Sequence, residues 1–130
     1  VAIGRIEALN YVVLPCVVLE QTRAFYEAVF QFPVVEDRPT WVSFQAGGTL
    51  LTLRPRGVWP VCDDGPIPPE TAAVQLAFQV PLADVDAWHS ELVARNIPII
   101  REPTDIPFAR HRTLFFRDPE NNILEIYGVY

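Results

Sequence analysis

The sequence predicts an α+β protein: two βαβββ modules whose strands form a curved, mixed-sheet cup. Three observations predict it. The order strand, helix, strand, strand, strand can be read twice along the 130 residues. Short strings recur in the same order in both halves: Phe32-Pro33-Val34-Val35 with Ile97-Pro98-Ile99-Ile100 at an offset of 65, Arg38-Pro39-Thr40 with Glu102-Pro103-Thr104 at 64, and Leu51-Thr52-Leu53 with Leu124-Glu125-Ile126 at the end of each half. The 13 prolines punctuate the elements, several of them at matched places in the halves.

Taken in order, Ala8 to Leu14 is rich in β-formers and is expected to be a strand that Pro15 closes. From Leu19, the residues Thr22, Ala24, Phe25, Ala28, Val29 and Phe32 recur at helical spacing, with Glu20 favourably placed in the first turn and Pro33 as the stop. Val34–Val35, Trp41–Ala46 and Thr49–Arg54 follow as strands, turned by Glu36–Pro39 and by Gly47–Gly48. Five prolines fall between Pro55 and Glu70, a stretch without alternation that predicts a linker. The second half is expected to run Ala73–Val80 as strand, Ala83 to Arg95 as helix through Val85, Trp88, Leu92 and Val93, and Ile97–Ile100 as a short strand. The hairpin Thr113–Arg117 with Ile123–Tyr127 then turns at Asp118-Pro119-Glu120-Asn121-Asn122. The modules are therefore 1–56 and 72–130, joined by 57–71, and neither is large enough to be comfortably stable alone.

Composition narrows the chemistry. Half of the residues are hydrophobic, enough for a real core. The formal charge is −6, and all ten basic side chains are arginine. Without lysine there is no Schiff base and no phosphate loop ending in Gly-Lys-Ser/Thr. The acidic balance disfavours a nucleic-acid partner, whose phosphates demand basic contacts. Cys16 and Cys62 are too few for a disulfide scaffold and are expected to be indifferent thiols. No apolar run is long enough to span a bilayer, and no basic region precedes an apolar one at the start, so a soluble, cytoplasmic protein without a membrane partner is expected.

Strand alternation separates two faces. One phase collects Val12, Leu14, Leu51, Leu53, Leu76, Phe78, Leu124 and Ile126, all apolar, the face expected beneath the helices. The other collects Tyr11, Val13, Leu50, Thr52, Arg54, Gln75, Ala77, Gln79, Ile123, Glu125 and Tyr127. Such a mixed face is either solvated, as in many antiparallel sheets, or the lining of a ligand cup.

The order of elements, the start Leu9-Asn10-Tyr11-Val12-Val13-Leu14, the helix segment Arg23-Ala24-Phe25-Tyr26 and above all Phe116-Arg117-Asp118-Pro119-Glu120-Asn121-Asn122-Ile123-Leu124-Glu125-Ile126 resemble the vicinal oxygen chelate superfamily, the glyoxalase, bleomycin-resistance and extradiol dioxygenase group. The resemblance covers nearly the whole chain. Asn121 stands where the family's turn usually has Gly, a modest departure because Asn tolerates the left-handed conformation. Enzymes of the family hold a divalent metal with His, Gln or Glu at the ends of equivalent strands. By position those places here are Tyr11, Thr52, Gln75 and Glu125. Glu125 is a strong hard-metal ligand and Gln75 a weak one, while Tyr11 and Thr52 are poor and the expected imidazoles are missing. The resemblance thus implies a small-molecule binder of the bleomycin-resistance kind with no cofactor favoured, commonly completed by a second copy as a homodimer. Its alternative is a divalent-metal-dependent lyase, isomerase or dioxygenase of the glyoxalase type, with Gln75 and Glu125 as the metal ligands.

The candidate ligand-binding residues are Tyr11, Trp41, Thr52, Arg54, Gln75, His111, Glu125 and Tyr127, with Glu125 and His111 the candidates for catalysis. Glu125 sits between Ile123 and Tyr127 on its phase, so its carboxylate is expected to be partly desolvated and to seek a cation such as Arg54 or a basic ligand group. His111 lies between Arg110 and Arg112, and a histidine there is either a base or ligand contact, or an exposed loop residue. Trp41 and Trp59 are candidates for stacking on a flat or cationic ligand. Trp88 and His89 are expected to serve the second helix.

Overall fold

Alternating strands and short amphipathic helices resolve into two four-stranded sheets in the computed structural model, which describes residues 3–66 and 71–130. The linker positions 67–70 lie outside the described residues. Two compact units, Val1–Gly65 and Pro66–Tyr130, each own one sheet.

In the first unit, β1 (Tyr11–Cys16), β2 (Val34–Arg38), β3 (Trp41–Ala46) and β4 (Thr49–Pro55) take the order β1-β4-β3-β2. β1 runs parallel to β4, Tyr11 opposite Leu50 and Thr52 opposite Val13, and β3 runs antiparallel to it, Ser43 opposite Thr52. The helix between β1 and β2 makes the parallel crossover that a two-residue turn cannot. It starts as α1 (Leu19–Phe25), with Glu20 in the first turn, and continues as a wider π turn over Tyr26–Phe30 until Gln31 stops it at φ 56°. That turn buries Tyr26 fully and stacks it on Phe30 at 5.6 Å. The core lies between this helix and one sheet face: Leu14, Cys16, Val42, Phe44, Leu51 and Leu53 are all at most 3% exposed.

The second unit repeats the plan. β5 (Gln75–Gln79), β6 (Ile99–Ile106), β7 (His111–Arg117) and β8 (Ile123–Val129) take the order β5-β8-β7-β6, with β5 parallel to β8. A single 3-10 turn over Leu82–Asp84 leads into α2 (Val85–Ala94), whose Val85 and Leu92 are buried on the side of the sheet that carries Leu114, Phe116, Leu124 and Ile126. Fully burying such a side chain stabilises by roughly 1.5–3 kcal/mol.

The predicted fold class and apolar phase hold, and the larger differences at element boundaries have physical reasons. β1 begins at Tyr11 rather than Ala8 and runs through Pro15 to Cys16. It is the edge strand of its sheet, where a missing N–H costs no ladder bond. β2 extends to Arg38 over the expected turn Glu36–Pro39, because a register shift between Val34 and Glu36 lets the strand continue along β3. β6 runs to Ile106 instead of ending at Ile100, with register shifts on both sides of Arg101 that obscure its alternation. The first helix is regular only to Phe25. Among the described residues no helix is long and apolar enough to cross a membrane.

Candidate functional site

On the first sheet, alternation along β4 turns Leu50, Thr52 and Arg54 away from the core, and the register sets Tyr11, Val13 and Pro15 of β1 and Ser43 and Gln45 of β3 beside them. Thr52 and Ser43 are 0% and 1% exposed, and their hydroxyls meet at 2.7 Å. A buried hydroxyl needs such a partner. Tyr11 is 46% exposed and meets Trp41 edge to face, ring centroids 6.1 Å apart. These two aromatic candidates are brought together.

Arg54 has a partner that the sequence did not suggest. Its guanidinium donates to both carboxylate oxygens of Asp64, at 2.9 and 2.6 Å. The backbone N–H of Gly57 donates to the same carboxylate at 2.8 Å, and Arg56 donates to the Asp64 and Gly65 carbonyls. The Arg54 fork, and then the Gly57 N–H, hold the Asp64 carboxyl well below its ordinary 3.8. Asp64 in turn raises Arg54. The loop after β4 is therefore tied back to its own unit.

On the second sheet the face opposite the helix is built around β8. The register places Glu125 opposite Phe115 on β7 and Ala77 on β5, and Tyr127 opposite Thr113 and Gln79. The Glu125 carboxylate accepts a hydrogen bond from Gln75 Nε2 at 3.3 Å and one from Thr113 Oγ1 at 2.7 Å. His111, in the first position of β7, stacks on Tyr127 with centroids 4.3 Å apart and planes 23° from parallel. Gln75, His111, Glu125 and Tyr127 thus gather on one face, together with Thr113. Thr113 was overlooked, although its alternation with buried Leu114 would have assigned it to this face. Ser43 was missed likewise, between Val42 and Phe44. Asp64 sits in an irregular loop, where no periodicity points to it.

Other candidates are engaged elsewhere. Arg112 points to the helix side, donating to Asp86 at 2.9 Å and to Asp105 at 3.0 Å. Cys16 is buried and Cys62 exposed, and neither is in a disulfide. Trp59 is 85% exposed in the loop after β4. His89 borders a shallow groove with Val93 of α2, Glu102 of β6 and Ile97 of the connection between them.

The donor chemistry does not fit a resident divalent ion. Of the four strand positions that the resemblance points to, Tyr11 is an aromatic in edge contact with Trp41, the Thr52 hydroxyl is committed to Ser43, and only Gln75 and Glu125 present oxygen donors suited to a hard cation. Among the described residues no three His, Cys, Asp or Glu side chains are grouped so as to hold a metal.

The model of the Glyoxalase/Bleomycin resistance protein/Dioxygenase superfamily matches residues 8–126. No curated protein matches at a significant level. Among solved structures, a glyoxalase/bleomycin resistance protein/dioxygenase from Nocardioides is similar with TM-score 0.81 at 22% identity, covering 99% of this chain and 87% of its own. A lactoylglutathione lyase from Agrobacterium tumefaciens is similar with TM-score 0.77 at 25% identity over 96% of each chain. An integron cassette protein from the mobile metagenome of V. cholerae reaches TM-score 0.76 at 20% identity, covering 99% of this chain and 100% of its own.

Proposed function

Since the chain belongs to the glyoxalase/bleomycin resistance protein/dioxygenase superfamily, we propose that it is a small-molecule-binding protein of the bleomycin-resistance kind, which works without a bound metal and holds its ligand on the mixed face of the β5-β8-β7-β6 sheet. The observation that carries this reading is the donor set. A metal that polarises a carbonyl or enediolate must be retained by several anionic or imidazole ligands. Here one carboxylate, Glu125, and one amide, Gln75, face each other, and Glu125 already accepts the Thr113 hydroxyl. What the face does offer is a stack of two rings, an amide and a carboxylate, the mixture of apolar surface and few polar groups that orients a small ligand. Pairing with a second copy and a cytoplasmic location belong to the same proposal.

The rival reading, a divalent-metal lyase, isomerase or dioxygenase with Glu125 and His111 as its catalytic groups, is favoured by the likeness to the Agrobacterium lactoylglutathione lyase. Elemental analysis of the purified chain decides between them, together with melting curves in added Ni²⁺, Zn²⁺ and Mn²⁺ before and after chelation. The expected result is a substoichiometric metal content and a melting temperature that neither metal nor chelator moves. One tightly held divalent ion per chain, lost in Glu125→Ala, would establish the rival. Light scattering on the same preparation reads the number of copies.

A further inference from the structure

Among the described residues Glu125 has no ion-pair partner. Its two hydrogen-bond donors, Gln75 Nε2 and Thr113 Oγ1, are both neutral. Among the described residues no arginine or histidine forms an ion pair with it, because the arginines of its unit are engaged elsewhere or exposed. Arg112 serves Asp86 and Asp105, Arg95 serves Glu91, and Arg117 donates to the Asn121 carbonyl at 2.9 Å. Phe115 lies directly across one ladder from Glu125, and Ile123 and Tyr127 flank it along β8. The residue is half-buried among these neighbours, none of which is charged, so a cation gains more here than at an open surface.

The surroundings are shaped for more than an inorganic cation. Ala77, opposite Glu125 on the edge strand β5, is small and exposed and leaves one side of the carboxylate open. Gln75 spends its amide N–H on Glu125, which leaves its amide oxygen as an acceptor beside the carboxylate. Two residues along β8 from Glu125, the nearly parallel rings of Tyr127 and His111 form a platform whose outer faces can accept a further flat ring.

We infer that this face recognises a ligand in which a protonated nitrogen is joined to a flat aromatic ring, the N–H groups donating to the Glu125 carboxylate and the Gln75 amide oxygen while the ring lies on the Tyr127 and His111 stack. The inference rests on the small-molecule-binding reading above and adds the sign of the ligand's charge. Anionic ligands such as carboxylates and phosphates are rejected by the same uncompensated charge.

The test uses two flat tricyclic probes of similar size and opposite charge, proflavine (cationic) and 9-anthracenecarboxylate (anionic), titrated by fluorescence into the full chain and into Glu125→Gln, Tyr127→Leu and Glu91→Gln, with the folding of each checked by melting curves. Proflavine is expected to bind the native chain at least tenfold more tightly, as a charge-assisted contact worth about one decade in affinity would give. Glu125→Gln should erase that preference, Tyr127→Leu should weaken both probes, and Glu91→Gln, an equal change of charge on the exposed face of α2, should leave both unchanged. Raising the salt concentration should weaken proflavine binding to the native chain and not to Glu125→Gln, a readout of the charge that does not depend on fold stability. Equal affinity for the two probes, or an effect of Glu91→Gln as large as that of Glu125→Gln, would overturn the charge inference. It leaves the binding reading intact if Tyr127→Leu still weakens both probes. Failure of both probes to bind, or binding that Tyr127→Leu leaves unchanged, overturns both.

Discussion

Arg54 and Asp64 meet fork to fork, at 2.6 and 2.9 Å, with both side chains less than a tenth exposed. The arginine that alternation places on the mixed face is therefore not a free cation waiting for a ligand or for Glu125. It closes the loop that begins at β4, and the Gly57 N–H and the Arg56 guanidinium complete the closure. Taking away one member of such a pair leaves the other buried and uncompensated, which is far more harmful than the net worth of the pair.

Asp64→Asn is accordingly expected to be less stable than the native chain at neutral pH, by an amount that depends on pH in a definite sense. Arg54, and then Gly57, depress the carboxyl in the folded state below the 3.8 of a free aspartate. Its stabilising contribution is therefore fully present above 3.8 and drains away as the pH falls from there toward the folded-state value. Urea midpoints of the two chains at neutral pH and at about pH 3 give the answer, since titration of a folded-state-depressed carboxyl must narrow the gap on acidification. A gap that stays constant or widens would show that Asp64 acts through shape alone.

Gly128 marks a close approach within the second unit. A Cβ at this position would lie 2.5 Å from the Leu82 Cα and 3.0 Å from its backbone N, so the 3-10 turn that opens α2 could accept a side chain there only by shifting. Gly128→Ala should destabilise by about 1–3 kcal/mol, the usual cost of overpacking. A melt of Gly128→Ala beside the exposed control Gly48→Ala, which meets nothing within 4 Å and has an ordinary φ, separates crowding from the intrinsic effect of a methyl group. Equal melting temperatures for the two variants would refute the close approach.

The repeat, the apolar phase and the strand positions of Tyr11, Thr52, Gln75 and Glu125 were legible in the sequence because they follow from a period of two and from duplication. Val42, Phe44, Leu51, Leu53, Leu124 and Ile126 occupy the buried face that alternation requires. What could not be read are relationships that periodicity does not encode. Asp64 reaches Arg54 from a loop ten residues away, and the register shifts around Arg101 hide the length of β6. The Glu125 environment was half legible: Ile123 and Tyr127 flank it by spacing alone, but the Thr113 hydrogen bond depends on the hairpin register and on a diagonal reach across the ladder. The gathering of Gln75 with Glu125 follows from a parallel pairing between strands 50 residues apart in sequence, which only the duplicated order of elements could have suggested.

Thr52 shows why position alone does not make a ligand contact. It stands where the family places a metal ligand, yet its hydroxyl is 2.7 Å from that of Ser43, and neither residue is more than 1% exposed. Thr52→Val keeps the volume and strands the Ser43 hydroxyl, and a buried polar group left alone costs about 1–3 kcal/mol. Ser43→Ala strands Thr52 in the same way. With both hydroxyls removed there is nothing left to satisfy, so the double variant should lose clearly less stability than the sum of the single ones, a coupling of at least about 0.5 kcal/mol, as expected for side chains in direct contact. Denaturant midpoints for the four chains of the cycle measure it. The same variants should leave proflavine affinity unchanged if the hydroxyls serve only each other. Strict additivity in stability, or a loss of binding in Thr52→Val at native-like stability, would return Thr52 to the ligand face as a contact in its own right.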